Sequence, residues 1–106
     1  MGDPYHELDD LVREIDRVRK VVGQVRGPQI RNTEHRDFLK ASALSWFHTR
    51  REVLVQNLSA ELVEAIDGPY RVILEASERD ATKPTYIRAA KLAREALVVA
   101  RAHILM

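Results

Sequence analysis

The sequence contains no cysteine. This absence excludes disulfide bonds, thiolate metal ligands and a cysteine nucleophile. It also fits a reducing compartment, so we expect a cytoplasmic protein. Glycine and proline are scarce, at four residues each in a chain of 106, which is too few for a disordered or linker-like protein.

Long apolar runs are missing as well. No stretch approaches the roughly 20 residues that a membrane-spanning helix needs. The acidic beginning of the chain lacks the apolar segment of a signal peptide. We therefore expect no membrane association.

The motifs of common enzymes are also missing. The sequence has no glycine-rich phosphate loop and no serine, histidine and aspartate in an order typical of hydrolases. His6 and Asp10 are four residues apart on one predicted helix, but two ligands do not make a metal site. We expect a protein without enzymatic activity, cofactor or metal.

What remains is the composition of a globular protein, with 45% hydrophobic and 31% charged residues. A chain of this length predicts one domain, residues 1–106, with one modest core. Proline is tolerated in the first turn of a helix and disrupts its interior. We expect Pro4, Pro69 and Pro84 to begin helices, and Pro28 to follow the end of one.

The first helix is predicted from Pro4 to about Arg26, with Asp3 as its N-cap. Its apolar residues recur every three or four positions and form one seam. The seam consists of Leu8, Leu11, Ile15, Val18, Val22 and Val25.

The second helix is predicted from about Glu34 to Asn57, after a cap at Asn32 or Thr33. Two short helices should follow. They are predicted over residues 60–67, after a cap at Ser59, and over residues 69–79. Gly68 separates the two.

The last helix is predicted from Pro84 to about Leu105. Its main seam consists of Tyr86, Ala90, Ala93, Leu97, Ala100 and Ile104. Further apolar residues flank this seam on both sides, and a helix that is apolar on most sides is usually buried. The sequence therefore predicts an all-α fold, a small helical bundle of three long helices with a short helical pair between the second and third.

Charge is segregated along the chain, although the net charge is only +1. Residues 1–16 carry a net charge of −5 and residues 17–51 one of +7. Residues 52–80 carry −5 and residues 81–106 carry +4. Antiparallel packing can pair blocks of opposite sign, whereas unpaired blocks would give a bipolar surface that steers partners.

Arg50 falls in the middle of the apolar face of the second predicted helix. A buried arginine needs a partner. One hypothesis is that Arg50 pairs with an acid of the first helix. The other is that its guanidinium receives a carboxylate or phosphate of a partner.

The favoured function is a helical interaction or assembly module that self-associates or docks a partner helix through residues 84–106. The candidate contact residues are Ile87, Leu92, Val98, Val99, Leu105 and Arg50. The alternative is a nucleic-acid-binding bundle that uses the basic stretch 17–51, with Arg36, Lys40 and Arg51 on phosphates.

Overall fold

A computed structural model of the chain describes residues 3–79 and 82–105, apart from the side chain of Leu105. The described part is helical and contains no strand, which confirms the predicted all-α bundle. Its elements are α1 (Pro4–Gln24), α2 (Thr33–Ser45), a π-helical segment (Trp46–Arg50), α3 (Arg51–Leu54), α4 (Ala60–Ser77) and α5 (Lys83–Leu105). From α2 to α3 the chain is helical without a break.

Helix α1 begins as predicted. The Asp3 carboxylate accepts a hydrogen bond from the Tyr5 amide at 3.1 Å, and Pro4 occupies the first turn. The helix ends at Gln24, two residues before the predicted end, because Val25 is extended. The buried part of the predicted seam is Leu8, Leu11, Ile15, Val18 and Val22, and Val25 packs against the core partly buried.

The predicted second helix contains a wider turn. Asn32 caps it as expected, accepting a hydrogen bond from the His35 amide at 3.1 Å. The helix ends at Leu54, three residues before the predicted end. Residues 46–50 form a π-helical turn, which accommodates one residue more than an α-turn and so changes where the following side chains point.

The predicted helical pair is wrong, because residues 60–77 form the single helix α4. Ser59 caps it as predicted, but Pro69 lies inside the helix rather than at the start of one. Gly68 offers no Cβ for the ring of Pro69 to strike. The buried side chains continue on both sides of the proline and hold the helix together: Val63, Ile66, Tyr70 and Ile73.

Helix α5 packs against both α1 and α4. Its predicted seam is fully buried at Tyr86, Ala90, Ala93, Leu97 and Ala100, and Ile104 is partly buried. The small alanine side chains allow the neighbouring helices to come close. At one end of the molecule, Gln29 forms a β-bridge with Thr82, and the Lys83 ammonium donates to the Val25 carbonyl at 2.6 Å.

Candidate interaction surface on α4 and α5

Helix α4 carries a second apolar stripe beside its buried face. The stripe follows spacings of three, four and three residues through Leu62, Ala65, Pro69 and Val72. Helix α5 carries a matching stripe with spacings of four, three, four and three, through Thr85, Ala89, Leu92, Ala96 and Val99. The two stripes line one groove, here named the α4/α5 groove.

The α4/α5 groove consists of two adjoining hollows of about 430 and 310 Å³, both lined by Pro69 and Leu92. Large apolar side chains stand open to solvent, since Leu92 is 49% and Val99 47% exposed. Small residues such as Ala65 lie between them. The groove therefore combines accessible apolar surface with room for close approach.

The two hollows differ in charge. Glu64 and Glu95 line the larger hollow, near the start of α4. Arg88 lines the smaller one, near the start of α5. The groove is thus acidic towards one end, basic towards the other and apolar in the middle.

The structure brings only some of the predicted contact residues together. Leu92 and Val99 line the groove, whereas Ile87, 43% exposed, lies beside the C-terminal half of α1. Val98 packs partly buried against the core. The side chain of Leu105, like Met106, lies outside the described residues.

Sequence reasoning missed the α4 side of the groove. The 3-4-3 spacing from Leu62 to Val72 was visible in the sequence. The prediction overlooked this spacing because the predicted break at Gly68 divided the stripe between two short helices.

Arg50 is engaged within the chain. Its guanidinium contacts Glu7 at 2.7 Å and Glu14 at 3.3 Å, and Asp10 lies 3.8 Å away. The hypothesis of pairing with an acid of the first helix is therefore confirmed. Arg50 lines neither hollow of the α4/α5 groove.

A second polar cluster is built around Asp67, which is almost completely buried. Its carboxylate accepts a hydrogen bond from Trp46 Nε1 at 2.8 Å and two from Arg51, at 2.9 and 3.0 Å. Burial alone raises the pKa of Asp67, but the hydrogen bonds from Arg51 and Trp46 and the charges of Arg51 and Arg71 outweigh it. The pKa of Asp67 therefore lies below its usual value.

Tyr70 completes the buried surroundings of this cluster. Its ring stacks on Trp46 with centroids 5.8 Å apart. Burial raises the pKa of Tyr70, and the charge of Glu14 raises it further against a smaller opposing effect of Arg50. The phenol oxygen of Tyr70 is buried and has no hydrogen-bond partner among the described residues.

The three residues of the nucleic-acid alternative all interact with their own chain. Arg36 donates to the Ser77 carbonyl at 3.1 Å, and the Lys40 ammonium lies 3.8 Å from Glu78. Arg51 is held by Asp67. The structure does not bring the three together as a shared phosphate site.

The hollow on the α1/α2 side of the bundle is small. A hollow of about 130 Å³ between α1 and α2 is lined by Glu14 and Ser42, and it is smaller than ordinary metabolite pockets. Within residues 3–79 and 82–105, no group of three histidine or carboxylate side chains is placed to hold a metal ion. None of the helices described is both long and apolar enough to cross a membrane.

The fold and its surface define a class, an all-α bundle with an open apolar groove between two antiparallel helices. Comparison with protein families, with curated proteins and with solved structures finds no match to the chain.

Proposed function

We propose that this chain is a non-enzymatic assembly module that receives an apolar helical surface in the α4/α5 groove. The observation that carries the proposal is the pair of heptad-spaced stripes on neighbouring helices. Single exposed apolar residues are normal on protein surfaces, whereas a contiguous apolar patch marks an interaction site. Val72, Leu92 and Val99 are each more than 40% exposed in one groove.

The spacing of the stripes favours a helical occupant. Residues at alternating steps of three and four form the seam along which helices pack side by side. Ala65 and Ala96 leave room for helix axes at the usual separation of about 8–10 Å. An amphipathic helix offers the same spacing in return.

The groove is also preformed. The inner faces of α4 and α5 are fixed in the core through Ile66, Ile73 and Leu97, which are fully buried. The helices cannot rotate their outer stripes inwards without exposing these side chains. A preformed site loses little conformational entropy on binding.

The proposal is tested with a labelled synthetic helix that carries leucine and alanine at heptad spacing and alternating glutamate and lysine elsewhere. Fluorescence anisotropy at sub-micromolar protein is the measurement. Leu92→Glu should weaken binding at least tenfold, because it places a charge in the middle of the groove. Val53→Glu is the matched control, since Val53 is 43% exposed on α3, outside the groove.

Equal binding by the Leu92→Glu and Val53→Glu proteins would contradict the proposal. So would the absence of binding by the unmodified chain up to millimolar helix. Circular dichroism of each variant establishes that the bundle is intact.

A second candidate, nucleic-acid binding, has one observation in its favour. Lys20 and Arg26, near the end of α1, are exposed and make no ion pair within the described residues. Arg31 lines the same hollow as Arg26, and among the described residues its guanidinium bonds only the neutral Gln29. Phosphates would meet these side chains, rather than Arg36, Lys40 or Arg51.

A further inference from the structure

We infer that the occupant of the α4/α5 groove is an amphipathic helix of another protein that carries an acidic residue about two turns before a basic one, beside its apolar stripe. This helix runs in the same direction as α5. The inference rests on the proposed function and adds the chemistry and the direction of the partner.

The charged side chains that line the groove are available to a partner. Glu64, Arg88 and Glu95 are exposed and make no ion pair within the described residues. The arginines on the α1 side of α5 differ, because Arg94 and Arg101 each contact an acid of α1 at 2.7 Å. The chain therefore pairs charges where α5 meets α1 and leaves them unpaired at the groove.

The two hollows favour opposite charges on the occupant. Among the described residues, no base lines the larger hollow, which contains Glu64 and Glu95, and no acid lines the smaller one, which contains Arg88. Like charges placed across an interface repel each other, whereas opposite charges select the partner and fix its position. A base over the larger hollow and an acid over the smaller one are complementary to this layout.

The spacing of the charges on α5 sets their spacing on the occupant. Arg88 and Glu95 are two heptad-equivalent positions, about 10.5 Å apart along the helix, and both flank the apolar stripe on its outer side. A helix lying along α5 meets them with two side chains that are themselves about two turns apart. Because the stripe from Thr85 to Val99 is about 21 Å long, the occupant needs roughly 15 residues to cover it.

The order of the two charges sets the direction of the occupant. Acidic residues stabilise the first turn of a helix and basic residues its last turn, because each complements the helix dipole. A helix with its acid before its base is therefore better formed on its own and loses less conformational entropy on binding. Its acid lies at Arg88, near the start of α5, so the occupant and α5 run parallel.

Two labelled helices of equal composition test the charge pattern. The mixed helix is the synthetic helix described above, and the bipolar helix has the same apolar stripe with its glutamates in the first half and its lysines in the second. By fluorescence anisotropy at 20 mM salt, the bipolar helix should bind about fivefold more tightly, the upper range for an exposed ion pair. Salt at 500 mM should remove most of this preference by screening. A helix with lysine alone that binds more tightly than the bipolar helix would overturn the inference.

Charge reversal in the chain tests where the pattern is recognised. Arg88→Glu and Glu95→Lys should each remove most of the preference for the bipolar helix. Arg26→Glu and Glu52→Lys are the matched controls, because both residues are exposed outside the groove, and they should retain the preference. Equal losses in the groove variants and the controls would contradict the inference, because net charge alone would then decide the affinity.

Cross-linking tests the direction of the occupant. The chain has no cysteine of its own, so a single introduced thiol reports on its own position. Thr85→Cys should form a disulfide mainly with a bipolar helix that carries cysteine at its first residue, and Val99→Cys with one that carries it at its last. Val53→Cys, outside the groove, should not distinguish the two helices. The opposite pairing at residues 85 and 99 would overturn the proposed direction.

Failure of this inference can be distinguished from failure of the proposed function. If the mixed and bipolar helices bind equally and both lose affinity with Leu92→Glu, the charge pattern is wrong and the helix-binding groove stands. If neither helix binds, both proposals are wrong. Self-association of the chain that disappears with Leu92→Glu, measured by sedimentation velocity, would also overturn the inference, because a second copy would then occupy the groove.

Discussion

At the scale of single residues, Asp67 connects three parts of the bundle. It lies on α4 and accepts hydrogen bonds from Trp46 in the π-helical segment and from Arg51 in α3. The carboxylate is nearly buried, so its charge is tolerated only because both partners are in place. Removing the charge therefore affects more than one helix.

We expect Asp67→Asn to lower the free energy of unfolding by about 1–3 kcal/mol at pH 7, the usual cost of disrupting a buried charged hydrogen bond. The pKa of Asp67 is depressed in the folded state, so its stabilising contribution is present above the unfolded pKa of about 3.9. That contribution disappears as the pH falls through the lower folded pKa.

Urea unfolding at several pH values measures this effect. The difference between the original chain and Asp67→Asn should be constant near neutrality and shrink below about pH 4. Glu75→Gln, an exposed carboxylate on the same helix, is the control and should change little. A difference that stays constant down to pH 2 would rule out this role of the ionised carboxylate.

At the scale of helices, the π-helical segment and the proline of α4 both depart from regular geometry. The segment ends at Arg50, and the adjacent residues Arg50 and Arg51 reach acids on two different helices, α1 and α4. In α4, the amide hydrogen bond that residue 69 would give to residue 65 cannot form, because proline has no N–H. Pro69 instead contributes its ring to the middle of the α4/α5 groove.

Replacing this proline should therefore trade binding for stability. Pro69→Ala restores a helical hydrogen bond, and we expect the free energy of unfolding to rise by about 1–2 kcal/mol after the greater freedom of the unfolded chain is subtracted. Binding of the synthetic helix should weaken, because the ring in the middle of the α4/α5 groove is lost. Urea unfolding measures the stability, and fluorescence anisotropy with the labelled helix measures the binding.

Pro28→Ala provides the comparison, since Pro28 is exposed in the loop between α1 and α2. Pro28→Ala should leave binding of the synthetic helix unchanged and should not raise the free energy of unfolding. If Pro69→Ala lowers the free energy of unfolding instead of raising it, the proline does not strain α4.

At the scale of the whole molecule, the charge blocks pair across helices. Asp9 and Asp16 of α1 bind Arg101 and Arg94 of α5, each at 2.7 Å. Together with the partners of Arg50 and Arg51, these contacts confirm that antiparallel packing joins blocks of opposite sign. Lys20, Arg26 and Arg31, where α1 ends and the first loop begins, form a group of bases without acidic partners among the described residues.

This distribution gives the nucleic-acid alternative a sharp test. If the chain binds nucleic acid, a labelled single-stranded or duplex DNA or RNA should bind at 20 mM salt. The affinity should then fall steeply by 200 mM salt. Arg26→Ala and Arg31→Ala should each reduce the slope of log affinity against log salt by about 1. Lys91→Ala, an exposed base on α5, should not. No binding at 20 mM salt would exclude this function.

The fold was largely readable from the sequence because its signals are local. The caps at Asp3, Asn32 and Ser59 and the seams of α1 and α5 follow from residue type and spacing. Of the α4/α5 groove, only the α5 side could be predicted from the sequence. Whether Gly68 and Pro69 end a helix depends on tertiary burial, which outweighs their local preference.

The pairing of Arg50 was recognisable as one of two options, whereas its exact acids were not. Three carboxylates of α1 lie within reach, and the π-helical turn that directs Arg50 towards them leaves no clear mark in the sequence. Leu92 and Val99 were identified by their position off the main seam. Their partners on α4 required the two helices to be placed side by side.

The packing of α5 against both α1 and α4 has a consequence for how the chain folds. Helix α1 packs on α5, and α4 needs α5 to bury its inner face, so neither has its full core until α5 is in place. Native contacts thus join the beginning of the described chain to its last helix, so a partly folded chain lacks much of the core. We accordingly expect the bundle to fold and unfold as one cooperative unit, with no smaller group of its helices stable on its own.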